Sequence, residues 1–376
     1  MEIIFYPLDF EYKTKDQSTL VYMYGKLENG EKVCVVEEFI PYFYVKMEGV
    51  ELINLTERLH NLELENKDFT AQIISWEVVD KELLGRKEQF LKVMVNYPQS
   101  IPIISKELNA WGLETFEKDL PFIHCYLRDK EITPMTKVKA NGDFVEDKEL
   151  KIAKFLATKV EPESQESIKK LKYLAIDIET YSKNKEILPE KNPILMVALY
   201  GVNEENEKFK KVITWKKFDN NLDYLVKVSD EVELLKKLKN YINEYSPDII
   251  TGYFSDGFDF PYINIRATKY KIKLDWGIDG SELEAGNKTD FREGKSKIEG
   301  IVHIDIFKFI KYIFGKNLKT DSYSLDSVSA EILGSNKHEI DLSKLAETWD
   351  SGSEQLEQYC IYNLQDSILT YQLCEK

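Results

Sequence analysis

The run Tyr173–Ile178 (YLAIDI) is apolar almost without interruption, yet the segment closes on two acids, Asp177 and Glu179. A strand of that composition is expected to be buried on both faces, as in sheets covered by helices. Residues two apart in a strand point to one face, so Asp177 and Glu179 project together while Ile178 packs the other way. Two charges at the end of a buried strand are costly unless they are paired or metal-bound. The plainer alternative is a strand end that surfaces into solvent. The flanking sequence supplies the expected cover. Pro193–Tyr200 (PILMVALY) and Lys211–Thr214 read as the next strands, and Asp248–Gly252 as another buried one. Val232, Leu235, Leu238 and Ile242 mark a helix over Glu231–Glu244, and Pro261 opens another over Phe260–Tyr270. Residues 283–305 read as a hairpin ending in a strand, and Ser353–Cys374 as a helix. Strands alternating with helices predict an α/β domain over residues 171–376.

Two further segments carry acids that can join the first pair. In Asp248–Ala267 (DIITGYFSDGFDFPYINIRA), a buried strand runs through a Gly-containing loop to Asp259, flanked by Phe258 and Phe260. An acid there is either an ordinary helix cap or a carboxylate held in a partly apolar pocket. Tyr362 and Asp366 lie four apart on the last helix and share a face, beside a buried stripe of Leu356, Cys360, Leu364 and Ile368. Alone, that pair is most simply a helix surface. If the three segments meet, their four carboxylates repel one another unless divalent cations neutralise them. Two metals held in that way can hydrolyse a phosphodiester.

Residues 1–133 read mostly as strands with short helices. Thr19–Lys26, Lys32–Glu37 and Tyr42–Met47 are expected strands, Phe69–Val79 and Gln89–Asn96 a β pair, and Ser100–Gly112 a helix. Residues 134–170 are polar, rich in Lys and Glu, and are expected to form a linker, part of it helical. The length of 376 residues, 43% of them hydrophobic, is enough for two or three cored domains. A net charge of −15 argues against a sequence-independent nucleic-acid coat. It does not exclude a nuclease, whose acidic cluster is offset by bound cations. Cys34, Cys125, Cys360 and Cys374 form no CxxC pair, which fits a reducing, cytoplasmic setting. No signal peptide or membrane span is expected.

Taken together, DIET, YFSDGFDFPYI and YNLQD resemble the three exonuclease motifs of archaeal family B DNA polymerases. These belong to the tyrosine-bearing branch of the DEDD 3′–5′ exonucleases. The resemblance extends to residues 41–44 (PYFY), 96–103 (NYPQSIPI), 119–127 (DLPFIHCYL), 213–215 (ITW) and 276–281 (WGIDGS). It implies an α+β N-terminal domain followed by a ribonuclease H-like exonuclease domain with a mixed central sheet. By the same resemblance, Asp177, Glu179 and Asp366 bind one catalytic metal, Asp177 bridges to a second, and Asp259 holds that second metal largely through water. Tyr362 would orient the attacking water or hydroxide. The metals would be Mg²⁺ or Mn²⁺, two per site, as oxygen ligands suit hard cations. Tyr253, Phe254 and Phe258 would face the substrate, and Asp305 would be a further acid near the site. The implied partners are DNA, as a single-stranded 3′ end and as template strand, and a separate polymerase subunit or C-terminal domains. No membrane partner is implied.

The chain also departs from the family pattern. Phe254 stands where the family usually has an Asn that contacts the terminal nucleotide. Two consequences are open: the ring stacks on a base, or nucleotide positioning weakens. The N-terminal part resembles the domain that detects uracil in template strands, with Tyr12, Pro41, Tyr42, Pro98, Ile101 and Phe122 at the matching pocket positions. The plainer alternative is that these residues pack the domain. Cys125 stands where the family often has Arg, which puts a pocket-closing contact in question. No DxxSLYPS-like or YGDTDS-like segment supplies palm acids, so polymerisation by that mechanism is not expected. The end at Lys376 is expected to be a cut at the exonuclease boundary, by truncation or by a split gene. The expected function is proofreading 3′–5′ exonuclease activity. The alternative is a non-catalytic module that binds single-stranded DNA or uracil, or an accessory subunit of a split or inactivated polymerase.

Overall fold

The computed structural model describes residues 1–47, 52–183, 186, 188–286, 294–320, 322–335 and 340–376. The chain divides into two compact units, Met1–Lys148 with Ile152–Ile168, and Glu149–Lys151 with Lys169–Lys376.

The first unit holds a closed barrel and a five-stranded sheet. The barrel comprises β1 (Glu2–Lys15), β2 (Ser18–Leu27), β3 (Lys32–Glu38), β9 (Thr136–Val145) and β10 (Ala153–Ser167). The sheet comprises β4 (Tyr42–Lys46), β5 (Glu63–Glu65), β6 (Thr70–Leu83), β7 (Arg86–Val95) and β8 (Thr115–Phe116). Helices α1 (Leu52–His60), α2 (Ser100–Ala110) and α3 (Phe122–Asp129) complete the unit. The expected linker is corrected here: most of residues 134–170 forms β9 and β10. Only a few side chains of these strands, among them Val138, Ala140, Phe155 and Val160, enter the barrel core. The outward positions are lysines and glutamates that pair across the strands, as Lys139 does with Glu161 at 3.5 Å. Charged residues conceal the alternation in a strand that is held mainly by its backbone ladder.

The second unit is the expected α/β layer structure. Its mixed sheet runs in the order β14 (Leu225–Lys227), β13 (Lys208–Thr214), β12 (Ile194–Val202), β11 (Tyr173–Thr180), β15 (Ile249–Gly252) and β16 (Val302–Asp305). β11 is antiparallel to β12 and parallel to β15, so it lies inside the sheet. The helices are α4 (Glu231–Tyr245), α5 (Asp259–Lys269), α6 (Ile306–Phe309), α7 (Leu325–Leu333), α8 (Leu345–Ser351) and α9 (Leu356–Glu375). Leu356, Tyr359, Cys360, Leu364 and Tyr371 of α9 pack with Ala175 of β11 and Met196, Ala198 and Tyr200 of β12. Ala175, Asp177 and Glu179 share a strand face, so α9 covers the face from which both acids project. The hairpin expected over 283–305 falls partly outside the described residues; its described part contains the bridge Glu284–Lys297 and then β16.

A buried ion pair fixes the loop that follows β11. Arg266 of α5 and Glu231 of α4 are almost fully inaccessible. The guanidinium donates to both Glu231 oxygens and to the Pro189 carbonyl at 3.0 Å. Glu231 also accepts the Ile194 N–H at 2.8 Å. Removing one partner strands the other charge in the interior. Arg266→Ala is therefore expected to destabilise the second unit by roughly 3–5 kcal/mol, as read by denaturant unfolding. A well-packed apolar replacement of both residues avoids the stranded charge, and its cost is instead the lost partners of the Ile194 N–H and the Pro189 carbonyl.

Candidate active site

The two acids of β11 lie beyond the stretch paired with β15, where the strand is paired with β12 alone, Asp177 opposite Ala198 and Glu179 opposite Met196. Asp259 is the first residue of α5, and the helix is not capped by a side chain. Its carboxylate instead accepts the Ile178 N–H at 3.2 Å. That bond ties the start of α5 to the peptide between Asp177 and Glu179. Of the two sequence readings of Asp259, the pocketed acid is the one observed, with the side chain fully buried.

On α9, Asp366 is buried together with Asn363, Ser367 and Thr370. These polar residues recur at helical spacing and form a second buried stripe beside the apolar one. The Asn363 amide donates to Asp177 at 2.6 Å, and the Ser367 hydroxyl donates to the Ala198 carbonyl at 3.3 Å. Sequence reasoning missed Asn363. Its position three residues before Asp366 was the available signal, since both then face one side of the helix. Its buried Oδ1 has no hydrogen-bond partner among the described residues. Tyr362 stands one turn before Asp366 and is half-buried.

The electrostatics show that the segments meet. Burial pushes the Asp177 carboxyl well above the usual carboxylate range, and Asp366, Asp259 and Glu179 push it further. Asp259 is raised to about 7, mainly by burial, with Asp305 and Asp366 adding repulsion and backbone N–H groups opposing it. Among the described residues, no three acid, imidazole or thiol groups already stand in ligating geometry. The donor set nevertheless suits a hard divalent cation: clustered carboxylate oxygens, two of them burdened by burial, beside an amide oxygen with spare accepting capacity.

Asp305, expected as a further acid near the site, lies close enough to repel Asp259 and also serves as a backbone anchor. It accepts the N–H groups of Phe254 at 3.1 Å, Asp256 at 3.0 Å and Lys308 at 3.2 Å. It thereby pins the turn after β15, where Phe254 has a left-handed φ of +66°. That conformation costs a non-glycine residue about 1–2 kcal/mol, and asparagine tolerates it best. The Phe254 ring lies 5.1 Å from that of Phe307, a contact that offsets part of the cost. The Tyr253 hydroxyl donates to the Tyr323 carbonyl at 2.7 Å, which commits its polar end to packing. Phe258 is half-buried against Tyr262.

In the first unit, the expected pocket residues fall into two groups. Tyr12 and Phe122 touch at 5.1 Å and reach Tyr42 through Phe39 in the barrel-side aromatic cluster. Tyr42 donates to Asp129 and accepts from Arg128, each at 2.5 Å. Ile101 packs in the core of the five-stranded sheet. Pro98 precedes α2 and is half-buried, while the Pro41 carbonyl accepts the Val95 N–H at 2.9 Å. Cys125 is buried, and burial raises its thiol.

The second unit is therefore a mixed sheet, covered by helices, with clustered acids from three segments at one end. The comparisons specify the family. The model for the DNA polymerase family B exonuclease domain matches residues 113–328. The chain belongs to that family. It is 31% identical to a DNA polymerase of Pyrococcus horikoshii and 33% identical to one of Methanocaldococcus jannaschii, each over 97% of this chain. It spans only 26% and 20% of those relatives. The family B DNA polymerase of Pyrobaculum calidifontis has the same fold, with a TM-score of 0.77 at 21% identity, over 99% of this chain and 45% of that one. The family match ends before Tyr362 and Asp366, so their place rests on the geometry of α9. Among the described residues, no helix is long and apolar enough to cross a membrane.

The raised carboxyls imply a pH dependence. A group whose folded pKa lies above its unfolded value, near 4 for Asp, adds stability below that value and loses it as pH rises through the folded value. The cation-free second unit should therefore lose stability between about pH 4 and pH 7 on account of Asp259. Mn²⁺ at hundredfold excess over its Kd should restore about 2.7 kcal/mol at pH 8, roughly 5–10 °C in Tm. The gain should shrink towards pH 5. Thermal melts with Mn²⁺ and with chelator across this range provide the check.

Proposed function

We propose that the second unit is a metal-dependent 3′–5′ exonuclease acting on DNA, the proofreading portion of a family B polymerase. The observation that carries this reading is Asp177, half-buried, repelled by Asp366, Asp259 and Glu179 and held by Asn363. Two divalent cations, Mg²⁺ or Mn²⁺, would neutralise these acids and supply Lewis-acid chemistry at the scissile phosphate.

The chain's own residues set the geometry. Asp177, Glu179 and Asp366 are the proposed ligands of one cation, and Asp259 holds the second beside them. Asn363 fixes the Asp177 rotamer, and its unpartnered carbonyl oxygen can accept a hydrogen bond from an ordered water. Tyr362, one turn before Asp366, would direct a water toward the phosphorus. Phe254 presents a ring where the terminal base would lie. Release of mononucleotides from a 3′ end in Mn²⁺ is the expected activity. Asp177→Ala should lower its rate by roughly 100-fold or more, since even outer partners of metal sites cost 10–100-fold. An Asp177→Ala rate equal to that of the parent would end this reading.

For the first unit, we infer that the Tyr12–Phe122–Phe39–Tyr42 cluster lies at a pocket for a template base, with uracil preferred over thymine. The support is the ring contact of Tyr12 with Phe122 at the positions expected from the resemblance. A single methyl group in an apolar pocket discriminates by roughly 10–200-fold. Binding of uracil-containing strands should exceed that of thymine-containing strands within this range at one fixed salt concentration. Equal affinities would leave these residues as packing alone.

A further inference from the structure

The segment Ile306–Thr320 (IFKFIKYIFGKNLKT) holds Lys308, Lys311, Lys316 and Lys319 and no acid, in a chain of net charge −15. It follows directly on Asp305, as α6 and then a π-helical turn over Ile310–Phe314. Ile306 and Ile310 face inward and pack with Leu325, Val328 and Leu369. The outward residues include large apolar side chains as well as lysines. Phe309 is 46% exposed, Tyr312 75%, Ile313 61% and Phe314 43%. Single exposed apolar residues are ordinary; four within six positions indicate an interaction surface.

Its composition identifies the partner. The Lys311 ammonium lies 5.5 Å from the Phe307 ring and 5.8 Å from the Tyr312 ring. Lys308 is bound to Asp256 and the Gly294 carbonyl, which leaves Lys311, Lys316 and Lys319 as the outward cations. Protein interfaces are depleted in lysine at their core. Aromatic faces interleaved with cations instead match a single strand, whose bases stack while its phosphates are neutralised. The surface is also continuous with the candidate site. Phe307 touches Phe254 on the pinned turn, and that turn leads into Asp259.

We propose that Phe309, Tyr312 and Phe314, with Lys311, Lys316 and Lys319, form a platform for single-stranded nucleic acid entering the acidic site. The platform extends the nuclease reading and rests on it. The test is fluorescence anisotropy of a 5′-labelled oligothymidylate in chelator, using the full chain carrying Asp177→Ala so that no strand is cut. Adding Tyr312→Ala and Phe314→Ala together should weaken binding on the order of tenfold or more. Adding Lys311→Gln and Lys316→Gln together should flatten the dependence of log affinity on log salt by about 1.4. Unchanged affinity in the first variant with an unchanged slope in the second would overturn the platform and assign the surface to a protein partner. Hydrolysis is scored separately in the parent chain. A parent that releases no mononucleotide in Mn²⁺, while the aromatic variant still loses strand affinity, removes the nuclease reading and keeps the platform.

Discussion

Repulsion among carboxylates at the end of β11 is the constraint that the second unit is arranged to bear. Asp177 and Glu179, Asp259, and Asp366 come from three segments far apart in sequence, and burial raises the cost of the charge on Asp177 and on Asp259. A flexible scaffold would relieve that cost by letting the side chains separate. Here the scaffold prevents it. β11 is paired with β12 at both acids, Asn363 holds Asp177, and Ile178 holds Asp259 through its N–H. Such hydrogen bonds favour the ionised carboxylate, whereas burial favours the neutral acid. A site balanced in this way responds strongly to an added cation, which supports the metal-dependent reading.

Two buried polar anchors maintain the loops around those acids. Asp305 takes three backbone N–H groups and fixes the turn bearing Phe254. The Arg266–Glu231 pair fixes the start of β12 and the chain before it, through the Ile194 N–H and the Pro189 carbonyl. A hydrophobic pair at that position would pack as well but could not satisfy these backbone groups. Both anchors determine where the backbone around the acidic cluster sits.

Much of the second unit was legible in the sequence, because a strand buried on both faces leaves a continuous apolar run and an amphipathic helix leaves a periodic one. The acids were legible for the complementary reason: Asp177 and Glu179 interrupt an apolar run. The less legible parts involve polar residues used internally. β9 and β10 read as a linker because paired lysines and glutamates cover their outward faces. Asn363 sits in a helix buried nearly all round, so its polar stripe is hidden between apolar neighbours. Asp305 showed as an acid, but only the fold reveals that its oxygens are committed to backbone N–H groups. The pocket residues of the first unit lie far apart in sequence and divide between two cores, which no local periodicity reports.

The net charge of −15 opposes binding of a polyanion at long range. Range resolves the conflict. At physiological ionic strength, charges separated by more than about 8 Å through solvent are largely screened. A strand on the surface therefore responds mainly to the cations beneath it, and Ile306–Thr320 carries four lysines and no acid of its own, while the adjacent Glu331 carboxylate is engaged by the Lys319 and Thr320 N–H groups. The remote acids regain influence as salt is lowered and the screening length grows. Local attraction and distant repulsion then act together. A chain of this kind should show a weaker salt dependence than a uniformly basic protein that touches the same phosphates.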